Sequence, residues 1–165
     1  MINNDSSTER LNQAKQPSAE TDTAEDPRQE LENAIKGSHQ VLVTVTTVFP
    51  LTPFPGTITI DRAKLTITRR NFFKVAEVMS IRIEDVLNVT ATVGPLFGSL
   101  KLTSRVFNIE KPYKMEHFWR EDALRVKRIT QGYIIALQKD IDCSALSTRE
   151  LSGMLDELGK DDHDT

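Results

Sequence analysis

The chain has a single cysteine, Cys143, among its 165 residues, so no intramolecular disulfide can staple it. Asp140 and Asp142 beside it are the wrong company for an activated nucleophile, which needs basic neighbours. Histidines are equally scarce: His39, His117 and His163 are scattered, with no HExxH or CxxC spacing, so no metal or other cofactor is expected. The segment Gly94–Gly98 lacks the spacing, lysine and hydroxyl of a phosphate loop. Glu84-Asp85 and Glu121-Asp122 are adjacent carboxylates that a bend and a helix surface explain without catalysis. These absences argue against an enzyme. No basic stretch followed by an apolar core opens the chain, so no secretion signal is expected and a cytoplasmic setting is implied. One stretch, from Gln40 to Ile60, has no charge and is long enough to span a bilayer. Pro50, Pro53 and Pro55 would break a helix there, and its many Val, Thr and Ile residues favour strands, so no transmembrane segment is expected.

Hydrophobic content is also low, at 38%, against about 45–50% for a globular chain when glycine is included. The deficit is local. Residues 1–30 offer only Met1, Ile2, Leu11, Ala14, Ala19 and Ala24 as apolar side chains, too few to offset chain entropy. An acidic, disordered tail is expected over 1–38, with a short helix at 27–36 that has proline in its first turn and Gly37 as a stop. The folded domain is expected over 39–139, followed by a linker, a second helix and an acidic tail over 140–165. Charge follows the same divisions. Residues 1–40 carry four basic and eight acidic side chains, residues 41–140 fifteen and nine, and residues 141–165 two and seven. A basic body between acidic ends suits an acidic partner or an anionic surface, and equally a solvated, soluble exterior.

Val41, Val43 and Val45 start a β-prone run that ends in the proline-held loop 49–56. Thr57–Ile60 and Leu65–Thr68 alternate at period two around the Asp61–Lys64 turn, which places Ile58, Ile60, Leu65 and Ile67 inward. Arg69-Arg70-Asn71 is expected as a turn. Further strands are expected over 74–83, 87–93, 99–103 and 106–109. From residue 114 the period changes. Met115, Trp119, Ala123, Val126, Ile129, Tyr133 and Leu137 recur every three to four residues, predicting one amphipathic helix over 114–139. Gly132 within it costs about 1 kcal/mol relative to alanine, which close packing on a strand would offset. Ser147 and Glu150 form a capping box for a second helix ending at Gly159, with Leu146 and Leu151 as its staple.

Six or seven short antiparallel strands followed by an amphipathic helix resemble the pleckstrin-homology-like fold, in particular bacterial PH-like domains. Three segments carry the resemblance: Gly56–Arg70 as the first hairpin, Ser80–Val86 as a strand and bend, and Gly98–Arg105 as a following strand. The resemblance implies a mainly β antiparallel barrel plugged by its C-terminal α-helix, with variable loops at the other end for lipid head groups, peptides or partner domains. It supplies no catalytic or ligand-binding residue. Phosphoinositide-binding members cluster Lys and Arg across the first hairpin loop. Here the 49–56 loop has no basic residue and the Asp61–Lys64 turn only Arg62 and Lys64, which argues against a phosphoinositide ligand.

The candidate contacts lie beside turns: Phe49, Leu51 and Phe54 in the proline loop, with Phe72, Phe73, Leu96 and Phe97 elsewhere. Exposed together they form an apolar patch for an unknown protein partner or a membrane surface; turned inward they seal a small barrel. Arg69, Arg70 and Lys74 bracket Phe72-Phe73 and would assist at an anionic membrane, whereas nucleic acid is not expected. The expected function is a non-catalytic binding module. The alternatives are a structural protein that self-associates through a sheet edge or the C-terminal helix, its oligomeric state left open, and, behind it, an enzyme with no recognisable motif.

Overall fold

The computed structural model describes residues 26–38, 40–70, 76–106 and 112–161. The first helix, α1, spans Pro27–Ser38. Four strands follow, β1 (Val41–Thr46), β2 (Thr57–Asp61), β3 (Lys64–Arg70) and β4 (Ala76–Arg82), forming an antiparallel sheet in sequence order. A 3-10 turn at Ile83–Asp85 leads into β5 (Val86–Val93), β6 (Phe97–Ser104) and β7 (Tyr113–Trp119), which form a second sheet. Helices α2 (Arg120–Gln138) and α3 (Thr148–Leu158) close the fold. The expected disorder of residues 1–25 and the strand residues 107–109 fall outside the described residues.

The fold is mainly β with C-terminal helices, but the strands do not close into a barrel. Among the described residues, no ladder joins β4 to β5 or β1 to β7. The 3-10 turn carries the chain from one sheet to the other. Near the opposite edges the Val48 amide donates to the His117 carbonyl at 2.7 Å, and no ladder follows that contact. The two sheets instead share a core. Ile58, Ile60, Leu65, Ile67 and Ile81 come from the first, Leu100, Leu102 and Phe118 from the second, and Val126 and Ile129 from α2. Pairing of Ile58 with Ile67 and Ile60 with Leu65 is the expected hairpin register.

Three local sequence expectations need correction. Arg69 and Arg70 lie in β3, paired with Glu77 and Ala76, not in a turn. The long helix begins at Arg120, six residues later than expected, because Tyr113–Trp119 is a strand. Gly98 pairs with Phe118 and Leu100 with Met115, so two residues of β7, Glu116 and His117, oppose the single Ser99 of β6. This is a bulge, with His117 at a φ of 66°. It sets the inward-facing Met115 and Phe118 three apart, a spacing that imitates a helix. Leu137, expected on the helix's apolar face, is exposed.

The C-terminal helix is as expected. The Glu150 amide donates to Ser147 Oγ at 3.4 Å and the Ser147 amide to Glu150 Oε2 at 3.1 Å, closing the capping box. Leu151 and Leu155 are buried, and Ser152 Oγ donates to the Leu42 carbonyl of β1 at 3.3 Å. Gly132 serves this helix and not a strand: a Cβ there would collide with the Leu155 carbonyl, and one at Gly159 with the Arg128 carbonyl. Arg128 pairs with Asp156 at 2.9 Å across the same seam.

Candidate functional site

The first sheet has two ends with different chemistry. Val41 pairs with Asp61 and Thr46 with Thr57, so the β2–β3 turn lies at one end and the 47–56 loop at the other. The six residues of β1 separate them by about 20 Å.

At the turn end, Asp61 is buried and its Oδ1 accepts from the Ala63 and Lys64 amides, both at 2.8 Å. Arg62 reaches across to the α2–α3 connection. Its Nε donates to Gln40 Oε1 at 2.6 Å, Nη1 to the Cys143 carbonyl at 2.9 Å, and Nη2 to the Leu146 carbonyl. The Tyr133 hydroxyl donates to the Arg62 carbonyl at 2.6 Å. Burial pushes the Tyr133 phenol above its ordinary pKa, with Cys143 and Asp61 adding to the rise and Arg62 opposing it. The guanidinium is therefore committed to the protein's own acceptors, so this turn is a structural clasp.

The loop end is built to present side chains. The Thr47 amide donates to the Gly56 carbonyl at 2.9 Å, and the Gly56 amide returns to the buried Thr47 hydroxyl at 2.9 Å. The Thr52 amide donates to the Val48 carbonyl at 3.0 Å, and the Phe49–Pro50 peptide is cis. The neck is thus tied, while three large apolar side chains between its ends face out. Phe49 is 70% exposed, and Leu51 and Phe54 are also exposed. The bulge of β7 is the floor beneath them, holding the loop through the Val48–His117 bond and a 3.5 Å Thr52 Oγ1–His117 Nδ1 contact.

Beside the loop is an open cavity of about 240 Å³, lined by Leu51, Phe54, Met115 and the polar groups of Arg69, Lys114 and His117. Lys114 pairs with Glu116 at 2.7 Å, and that hydrogen bond holds the Glu116 carboxyl below its ordinary pKa. Arg69 and Arg70 are exposed. Farther along β7 a second apolar group appears. Leu96 is 64% exposed, and the half-buried Phe97 stacks on Trp119 with ring centroids 5.1 Å apart. Trp119 itself is 50% exposed. The Arg120 amide donates to the Leu96 carbonyl at 2.9 Å, so the hairpin tip is fixed to the start of α2.

Of the sequence candidates, Phe49, Leu51, Phe54, Arg69 and the cavity therefore share one end of the first sheet. Leu96 and Phe97 form a neighbouring patch, connected to the loop through β7. Phe72, Phe73 and Lys74 lie outside the described residues. Sequence reasoning missed Trp119, which it placed on the inner face of a helix. The signal available was its register opposite Phe97, hidden by the bulge. Among the described residues no group of three His, Cys, Asp or Glu side chains is placed to hold a metal, and no helix is long and apolar enough to cross a membrane. Compared with protein-family models, curated proteins and solved structures, the chain matches none.

Proposed function

We propose that this chain is a PH-like, non-catalytic binding module of the cytoplasm that makes peripheral contact with an anionic membrane through its 47–56 loop. The exposure of Phe49 on a loop tied at its neck carries the reading. A presented aromatic of this kind loses little conformational freedom on insertion, and burial of each such ring is worth about 1.5–3 kcal/mol. Arg69 and Arg70 supply the electrostatic half, worth about 1 kcal/mol each near an anionic surface. The order of four strands, three strands and a C-terminal helix supports the PH-like resemblance. The commitment of Arg62 to protein carbonyls supports a ligand other than a phosphoinositide head group at that turn.

Co-sedimentation with phosphatidylcholine vesicles, with and without phosphatidylserine, tests the proposal. The wild-type chain is expected to pellet with the anionic vesicles, and a Phe49→Ser/Phe54→Ser variant to bind about tenfold less for each ring removed. Equal binding of both proteins would overturn the role of the loop. Binding of neither would replace the membrane with a protein surface as the partner.

A further inference from the structure

The end of the molecule remote from the loop has its own uncovered apolar surface. The α2–α3 connection and α3 enclose an open groove of about 590 Å³ lined by Ile141, Cys143, Leu146, Met154, Leu155 and Leu158. Met154 is 58% exposed, and Ile141 and Leu158 are exposed with it. Helix α1 has the complementary problem. Every one of its residues whose side chain is described is exposed, including Leu31 and Ile35, which at i and i+4 share one face. Its 12 residues are too few for a stable helix in water without packing.

The chain roots α1 at the rim of that groove. Gln40, two residues beyond Ser38, accepts from Arg62 at 2.6 Å and from Thr148 Oγ1 of α3 at 3.1 Å. The same Arg62 holds the carbonyls of Cys143 and Leu146, two groove residues. Helix α1 is about 18 Å long and α3 about 16 Å, so one can lie along the other. A tether this short gives a local concentration in the millimolar range, well above that of any second copy. We infer that α1 closes onto this groove of its own chain, setting Leu31 and Ile35 against Met154 and Leu158. The helix is then a strap that covers the α3 face.

The lone cysteine provides the test, because Cys143 lines the groove. Full-length Leu31→Cys and Ile35→Cys variants would be treated with diamide, which takes two hydrogens from a thiol pair to leave a disulfide. Gln29→Cys, on the opposite side of α1, is the control. Rapid intrachain cross-linking is expected at 31 or 35, about tenfold or more faster than at 29. Equal rates at all three positions would overturn the inference. So would cross-links that join two chains, or no cross-link from either apolar position.

Discussion

Tyr133 shows how much one side chain can hold. Its hydroxyl ties α2 to the β2–β3 turn, and Tyr133→Phe is expected to cost about 1 kcal/mol in chemical denaturation at neutral pH. The folded state raises the phenol's pKa, so it binds that proton more tightly than the unfolded chain does. The stabilisation is complete below the unfolded value of about 10 and disappears as pH rises through the higher folded value. Denaturation midpoints measured above about pH 10 should fall more steeply for the wild type than for Tyr133→Phe. Glu150 has the opposite sign. Hydrogen bonds from the Ser147 hydroxyl and amide lower its pKa, so its contribution is present above the ordinary glutamate value and lost as pH falls through the folded one. Some of this was legible beforehand. Ser147 and Glu150 announce their bond by spacing alone, whereas nothing local to Arg62 or Tyr133 reveals that they meet, 71 residues apart.

Among the elements, the hairpin of β2 and β3 was readable because alternation and burial coincide there, with Ile58, Ile60, Leu65 and Ile67 all buried. Strand β7 was not, because its bulge changes period two into period three and joins it without a break to α2. The role of Gly132 was half legible. Its cost within a helix implies close approach, but sequence could not say that the partner is α3. Alanine at 132 should gain about 1 kcal/mol of helix propensity. It should lose more, about 1–3 kcal/mol net, because its Cβ must displace the Leu155 backbone. A lowered melting temperature in calorimetry is the expected result, and a raised one would show that α3 packs elsewhere.

On the scale of the whole molecule, stability and presentation are separated along the first sheet. Core and clasp residues gather toward the helices, while Phe49 is exposed beyond the tied neck of its loop. Phe49→Ser should therefore change unfolding free energy by no more than about 0.5 kcal/mol, and its effect should add to that of Gly132→Ala. Urea titrations of the two single variants and the double variant test this independence. The bond from Ser152 to Leu42 has a consequence for synthesis. The first strand of the sheet receives its cover from a helix 110 residues later in the chain. At ribosomal speeds of about 5–20 residues per second, that edge stays open for roughly 5–20 s after it emerges. A nascent chain arrested before Ser147 should be cut rapidly by added protease near β1, and one extended past Gly159 and clear of the exit tunnel should resist. The last helix to be made decides when the first strand becomes safe from a neighbouring chain.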